Sequence, residues 1–231
     1  MIQLRPASKR GKTKLDWLDS RHSFSFGDYY DPLHMGFRHL RVINEDRVEG
    51  GKGFGMHSHR DMEIVTWVLE GALEHKDSLG NGSVIRPGDL QRMSAGRGIQ
   101  HSEFNQSKTE KVHFLQIWIE PWEKGLPPGY EQKSFSFPKS GGWTLLGSSD
   151  GREDSVTVNQ DIKLWAARLN AGRELSHTFA EGRSGWLQVA RGVVEIGKQR
   201  MESGDGAELT GEKEMVIRSV EAAEVLLFEM R

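Results

Sequence analysis

Short runs rich in β-branched and aromatic residues recur along the chain, and they constrain its fold more than any other feature. Each run is bounded by Gly, Pro, Asn or Asp, the residues that form turns. Long helical periodicity is hard to find, and the runs follow one another at the close spacing of a sandwich or barrel. The sequence therefore predicts an all-β protein with strands over 40–43, 64–69, 114–119, 186–189, 193–196 and 225–228.

Composition argues against several classes of function. The 231 residues include 31 basic and 33 acidic side chains, so we expect no overall field that would collect nucleic acid or an anionic membrane. The absence of cysteine excludes disulfides, thiolate metal sites and a cysteine nucleophile. No apolar run approaches the roughly 18 residues of a membrane-spanning helix, and no apolar segment follows the basic residues between Lys9 and Lys14. We expect a cytoplasmic protein.

Two pairs of metal-binding side chains stand at i, i+2 spacing. His57 and His59 form the first pair, and His101 and Glu103 form the second. Because alternate side chains of a strand share a face, each pair can direct both members to one point. Three imidazoles and one carboxylate suit a divalent transition metal, and four protein ligands leave positions open on an ion that prefers five or six. The spacing predicts an open metal site.

Glu63 is the alternative ligand, or a residue that supports the ligands from outside. It lies four residues after His59, so an unbroken strand would point both side chains to the same face. The other histidines lack a partner at ligand spacing, and we interpret them as hydrogen-bonded or solvent-facing: His22, His34, His39, His75, His113 and His177. Gly96-Arg97-Gly98 has no following lysine, so we interpret it as a bend that positions His101 and not as a phosphate loop.

A segment rich in Pro and Gly between residues 121 and 151 predicts a boundary between two domains. Pro and Gly at this density suit a connection better than a core strand. We therefore predict an N-terminal metal-binding domain over 1–122, a connecting segment over 123–150 and a C-terminal domain over 151–231.

The two predicted domains share an internal repeat. The run 64–71, followed by Gly88-Asp89, is similar to the run 185–192, followed by Gly204-Asp205. An ungapped alignment on these glycines puts four other residues where the four candidate ligands stand, namely Thr178, Ala180, Ile217 and Ser219. We therefore expect the C-terminal copy to hold no metal and to serve in packing, shielding or assembly.

The residues around both ligand pairs resemble the pirin family of the cupin superfamily. The stretch from Gly51 to Gly71 is similar to the first cupin motif, and the stretch from Gly88 to Asn105 is similar to the second. Ser94 replaces the usual proline, and two extra residues precede the histidine of the second motif. Both departures, together with the N-terminal stretch 22–32, are typical of bacterial pirin-like proteins. The resemblance covers nearly the whole chain.

This resemblance implies a bicupin, two antiparallel jelly-roll β-barrels in tandem, with one metal in the N-terminal barrel. His57, His59, His101 and Glu103 would be its ligands, and Glu63 would at most support them. Iron is the metal usually discussed for the family, although the same ligands suit manganese, cobalt, nickel, copper and zinc. The implied activity is cleavage of a flavonol such as quercetin by dioxygen, at the 2,3 bond and with release of carbon monoxide.

Metal chemistry explains why such a site could cleave a flavonol. A bound metal would lower the pKa of the flavonol 3-hydroxyl and make the ring electron-rich. Glu103 would act as a ligand, or as the general base that takes the hydroxyl proton. A planar polyphenol suits an apolar slot, and we name Phe54, Met56 and Trp67 as candidate lining residues.

A different class of function stays open. One member of the pirin family is a nuclear transcription cofactor, so the metal could instead tune binding to a regulatory protein partner. It could also only stabilise the barrel. No direct contact with nucleic acid or with a membrane is expected in any of these cases.

Overall fold

The computed structural model describes residues 1–231 and consists almost entirely of antiparallel strands. Only two 3-10 turns of three residues each, Ala7–Lys9 and Arg152–Asp154, interrupt them. The predicted all-β class is thus confirmed, and each predicted run lies within a strand. Neither helical turn has the length and apolar character of a membrane-spanning helix.

Twenty-two strands make up the chain. In order they are β1 (Ile2–Arg5), β2 (Gly11–Lys14), β3 (Leu18–His22), β4 (Leu40–Val48), β5 (Gly53–His59), β6 (Glu63–Glu70), β7 (Leu73–Asp77), β8 (Gly82–Ile85), β9 (Asp89–Ser94), β10 (Ile99–Asn105), β11 (Val112–Ile119), β12 (Gly129–Ser134), β13 (Thr144–Ser148), β14 (Val156–Thr157), β15 (Ile162–Leu169), β16 (Glu174–Thr178), β17 (Ser184–Arg191), β18 (Val193–Ile196), β19 (Gln199–Glu202), β20 (Gly206–Leu209), β21 (Glu214–Ser219) and β22 (Ala223–Met230).

The N-terminal unit comprises Gly11–Phe135 and Val156–Gln160 and is built from two antiparallel sheets. Its larger sheet has the order β12-β9-β6-β11-β4-β3-β2, and its smaller sheet has the order β5-β10-β7-β8. Apolar side chains from both sheets form one buried cluster, which includes Val68 and Phe114 of the larger sheet with Leu73 and Ile85 of the smaller one. The core therefore lies between the two sheets, as the alternation of side chains along each strand requires.

The C-terminal unit comprises Met1–Arg10, Ser136–Ser155 and Asp161–Arg231. Its larger sheet contains the run β1-β20-β17-β22-β15-β13, and its smaller sheet has the order β16-β21-β18-β19. A second apolar cluster lies between these sheets and includes Leu187, Leu227, Ile196 and Ile217. The two-sheet pattern of the first unit is thus repeated, as the internal repeat predicts.

The N-terminal unit begins and ends at other residues than the predicted domain over 1–122. Residues 1–10 belong to the C-terminal unit, because β1 pairs with β20 in full register from Ile2↔Leu209 to Arg5↔Gly206. The supposed connecting segment contains β12, which pairs with β9 in the N-terminal unit. Pro and Gly density marked the segment correctly as irregular at 121–128 but could not show that a strand follows it.

Strand β1 stabilises the C-terminal unit from the far end of the sequence, and this can be tested. Leu4 packs against the C-terminal core, whereas Gln3 is exposed on the same strand. We expect Leu4→Asp to destabilise this unit by about 2 kcal/mol, because it removes an apolar contact and brings a charge to the core. Hydrogen exchange should show lost protection in β20 and unchanged protection in β11. Gln3→Asp is the matched control, and equal protection of β20 in both variants would contradict the assignment.

Strand register also corrects the alignment of the internal repeat. The glycine match makes Val194 of β18 the counterpart of Leu73 of β7. Asn105 pairs with Leu73, and Ser219 pairs with Val194. Ser219 therefore corresponds to Asn105 and not to Glu103. The two extra residues before His101 cause this shift, because an ungapped alignment makes no allowance for them.

One of the four ligand places in the C-terminal unit does hold a histidine. Met215 pairs with His177 as His101 pairs with His57, so His177 is the counterpart of His57. The places of His57, His59, His101 and Glu103 are thus taken by His177, Phe179, Met215 and Ile217. His177 Nε2 lies 3.1 Å from an oxygen of Glu229, and no group of three metal-binding side chains forms in this unit. The expectation that all four places had changed was wrong at this one position.

Candidate metal centre

The smaller sheet of the N-terminal unit brings three predicted ligands together on one face. β5 and β10 pair so that His57 lies opposite His101. The ring centroids are 4.4 Å apart for His57 and His101, 4.7 Å for His57 and His59, and 4.9 Å for His59 and His101. One ring nitrogen from each of the three lies within 4.8 Å of the other two. We call these residues the histidine trio.

The hydrogen bonding of the histidine trio leaves nitrogens available for a metal. His57 donates from Nδ1 to the Gly55 carbonyl at 2.8 Å, so its Nε2 keeps a free lone pair. Both ring nitrogens of His101 are buried without a hydrogen-bond partner. Burying a polar group without a partner costs free energy, and a bound metal would give one of these nitrogens a partner. The residues present therefore fit a divalent ion.

Burial keeps His59 and His101 neutral. It lowers the pKa of His59 to about 4, and the neighbouring His57 lowers it further in the same direction. Burial likewise lowers the pKa of His101 far below its ordinary value, with the three nearby histidines adding to the effect. Desolvation disfavours the charged imidazolium, so these two rings present lone pairs at neutral pH. Neutral imidazole is the form that binds metals.

Glu103 lies on the same face as the histidine trio, but its oxygen belongs to a second group, formed with His75 and His101. A register shift after His101 sets Glu103 opposite Phe54. A side chain at Gly53 would collide with the Glu103 carbonyl, so only glycine lets β5 approach β10 so closely at this point.

The carboxylate of Glu103 is buried among polar side chains. Gln116 Nε2 lies 3.4 and 3.5 Å from its two oxygens, and the Thr66 hydroxyl lies 3.5 Å from one of them. Burial raises the pKa of Glu103 to about 7, and the charge of Asp46 acts in the same direction, whereas the two hydrogen bonds oppose it. Glu103 is thus a buried carboxyl group held in one orientation beside the histidine trio.

Glu63 does not join the predicted ligands, because its carboxylate accepts hydrogen bonds from other residues. It accepts hydrogen bonds from the Ser94 hydroxyl at 2.9 Å and from the backbone and side-chain nitrogens of Asn159, both at 3.2 Å. The proposal of Glu63 as a ligand also requires one unbroken strand from His59 to Glu63, and the structure has no such strand. β5 ends at His59 and β6 begins at Glu63, with Asp61 between them at a positive φ of 51°. Glu63 belongs to neither group of possible metal ligands.

A cavity of about 100 Å³ opens beside the histidine trio. His57, His59 and Glu103 form one part of its wall, and Phe26 and Trp118 are among its apolar parts. Of the predicted lining residues, Phe54 lies on the wall. Met56 is instead 59% exposed and Trp67 is fully buried away from the cavity, so both of these expectations were wrong. Aromatic side chains therefore form part of the wall beside the candidate ligands.

The other part of the cavity wall is polar. Ser20, His22, Asn44 and Asp46 face it from β3 and β4. His22 Nδ1 lies 2.8 Å from Asn44 Oδ1, and burial raises the pKa of Asp46 to about 7. A planar ligand with hydroxyl groups would find apolar contact and hydrogen-bond partners in the same cavity.

Comparison with known families decides the classification. The Pirin family model matches residues 3–119, and the model of the quercetinase C-terminal cupin domain matches residues 145–230. The chain belongs to the pirin family. The two matches fall on either side of the segment 120–144, which contains β12 and leads into β13.

Relatives of this pirin match it over its full length. A quercetin 2,3-dioxygenase of Escherichia coli strain K12 is 46% identical over 230 residues, covering 100% of this chain and 99% of that protein. A pirin-like protein of Caulobacter vibrioides is 39% identical over 231 residues, covering 99% of both chains. The crystal structure of the bacterial pirin YhhW from E. coli in complex with nickel(II) superposes with a TM-score of 0.95 at 46% identity, covering 100% of this chain and 99% of that one.

Two residues close to the candidate metal centre, His75 and Asp77, are not among the residues predicted from the sequence. His75 was interpreted as a histidine without a partner at ligand spacing, but its ring lies 5.4 Å from that of His101. Asp77 follows it at i+2, and its Oδ2 lies 3.3 Å from His75 Nε2. A His-x-Asp pair has the same spacing as the two predicted ligand pairs, so this pattern marks both residues as candidates. Their closeness to His101 depends on the pairing of β7 with β10.

Proposed function

We propose that this pirin is a metal-dependent dioxygenase that cleaves a flavonol such as quercetin with molecular oxygen. In this proposal His57, His59 and His101 bind one divalent metal, and Glu103 completes the site as a fourth ligand or as a general base. One observation carries the proposal. Three imidazoles converge beside a mainly apolar cavity, and two of them line it.

The cavity supports a planar aromatic substrate. Its volume of about 100 Å³ is smaller than the 300–1,000 Å³ or so that encloses a whole drug-sized ligand. We therefore expect the ring that carries the 3-hydroxyl and 4-keto groups to enter, with the rest of the flavonol at the mouth. Phe26, Phe54 and Trp118 would contact the faces of that ring, and Asp46 or His22 would bind a hydroxyl group.

A divalent metal in this site supplies a Lewis acid that lowers the pKa of a bound hydroxyl. The protein has separate tasks. Glu103 accepts the proton of the 3-hydroxyl at a carboxylate oxygen if it acts as the base, and Gln116 and Thr66 hold that oxygen in place. The apolar wall keeps bulk water from the electron-rich ring while oxygen reacts with it.

For the native metal we propose iron, which the family resemblance favours. Nickel is the main competitor, because the related E. coli structure contains nickel(II). Histidine and carboxylate ligands suit both ions, so metal supply decides occupancy as much as the site does.

Metal analysis followed by oxygen uptake tests the function. Protein purified without oxygen and without added metal should contain close to one metal ion per chain. Supplied with quercetin, it should consume oxygen and release carbon monoxide in step with loss of the flavonol absorbance. Metal-free protein is the control and should regain activity with iron or nickel. Metal-loaded protein that turned over none of a panel of flavonols would refute the proposal.

A further inference from the structure

A third pair of polar side chains lies on the same sheet face as the predicted ligands. β7 is the neighbour of β10 on the side opposite β5, and it carries His75 and Asp77 at i, i+2. Asp77 lies opposite His101, and His75 lies opposite Glu103. Both side chains are fully buried. The proposed reaction leaves this pair without a role.

Asp77 fixes the tautomer of His75. Its Oδ1 accepts hydrogen bonds from the backbone nitrogens of Leu79 at 2.9 Å and of Asn81 at 3.1 Å, and its Oδ2 accepts one from Asn81 Nδ2 at 2.9 Å. Burial would raise the pKa of Asp77, but these hydrogen bonds and that of His75 lower it below its usual value. An ionised carboxylate can only accept, so the 3.3 Å contact requires a proton on His75 Nε2. His75 Nδ1 is left as an acceptor.

The ring of His75 has an acceptor without a donor, and the ring of His101 can supply a donor. His75 Nδ1 is buried without a partner, and so are both nitrogens of His101. When one nitrogen of His101 binds a metal through its lone pair, the other carries a hydrogen that requires an acceptor. The two ring centroids are 5.4 Å apart, and a nitrogen of each ring lies within 4.8 Å of the other. The donor that a metal-bound His101 would carry and the acceptor that His75 offers therefore lie on neighbouring rings.

We propose that His101 donates a hydrogen bond to His75 Nδ1 in the metal-loaded protein, so that Asp77, His75 and His101 form a relay that positions the metal ligand. This inference rests on the metal site of the proposed function. His75 is a positioning residue here, since it acts through His101. The Tyr130 ring stacks on His75 at 5.0 Å and limits its rotation.

A relay of this kind strengthens metal binding in two ways. It orients the ligand ring, and it makes the metal-binding nitrogen more basic because the opposite N–H is held by an acceptor. Removing such an outer partner typically lowers metal affinity by about 10- to 100-fold.

Two substitutions of similar size separate the relay from a general structural role. His75→Asn places an amide oxygen near the position of Nδ1 and keeps the acceptor for His101. His75→Gln places its amide near the position of Nε2 and keeps the contact with Asp77 but offers no acceptor to His101. Lys76→Gln is the control, because Lys76 lies between the two residues with an exposed side chain on the opposite face.

Nickel(II) affinity, measured by competition with a chelator, is the readout. We expect His75→Gln to bind nickel about 10- to 100-fold more weakly than Lys76→Gln, His75→Asn to keep most of the affinity, and Asp77→Asn to fall between them. Thermal unfolding of the metal-free proteins should not separate His75→Asn from His75→Gln.

Two results would overturn the relay. One is equal nickel affinity in His75→Gln and in the Lys76→Gln control. The other is X-ray absorption showing one imidazole fewer on nickel in His75→Gln than in the unaltered protein, since His75 would then be a ligand itself. Failure of the metal site is distinguishable, because His57→Ala would then bind nickel as tightly as the unaltered protein does.

Discussion

Replacing His101 with alanine is expected to abolish both metal binding and oxygen-dependent loss of quercetin. His101 contributes one of the three converging nitrogens, and both nitrogens of its ring are buried without a hydrogen-bond partner. We therefore expect nickel affinity to fall by more than the roughly 100-fold that loss of an outer partner costs. Equilibrium dialysis with metal analysis, together with oxygen uptake, measures both effects.

Thermal unfolding gives an independent check of the His101→Ala prediction. A metal that binds only the folded state raises the melting temperature of the protein. This rise should disappear in His101→Ala, whereas metal-free His101→Ala should remain folded. His39→Ala is the matched control, because His39 belongs to neither group of possible ligands. A metal-induced rise of full size in His101→Ala would show that the ion binds elsewhere.

Replacing Glu103 with glutamine is expected to reduce turnover by about 10²- to 10⁴-fold while most of the metal stays bound. Glutamine has nearly the same shape and can stay near Thr66 and Gln116, but it cannot accept a proton. Glu103 lies outside the histidine trio and faces the cavity, which favours the role of a base over that of an essential ligand. Steady-state kinetics with quercetin and metal analysis of the same sample test both parts.

The paired variant Glu103→Asp makes the Glu103 prediction specific. Aspartate keeps a carboxylate but is one carbon shorter, so we expect turnover between that of Glu103→Gln and that of the unaltered protein. Metal loss in Glu103→Gln in proportion to the loss of activity would instead identify Glu103 as an essential fourth ligand.

The convergence of the histidine trio could be predicted from the sequence because the signal is local. A spacing of two residues on a strand fixes the face of a side chain without any knowledge of the rest of the fold. His57 and His59 need only an intact β5, and His101 needs only a register that places it opposite β5. The same reasoning fails for Glu63, because the turn at Asp61 breaks the strand on which the spacing argument depends.

Features that depend on register between distant strands could not be predicted in this way. The pairing of β16 with β21 is needed to match His177 with His57. The ungapped repeat alignment matches His57 with Thr178 instead, a shift of one residue. His75 comes close to His101 because β7 and β10 are neighbours, and no single stretch of sequence shows that. Long-range pairing carries this information, and the family resemblance supplied the overall fold but not these contacts.

The placement of β1 also affects how the chain is made. β1 is synthesised about 200 residues before its partner β20, so at 5–20 residues per second it waits roughly 10–40 s. Until the two meet, the edge of β20 is unpaired and open to another chain. Contacts so distant in sequence also slow folding. Synthesis of this pirin should therefore be most prone to aggregation just before β1 docks, and a fusion that hinders the N-terminal strand should lower the yield of folded protein.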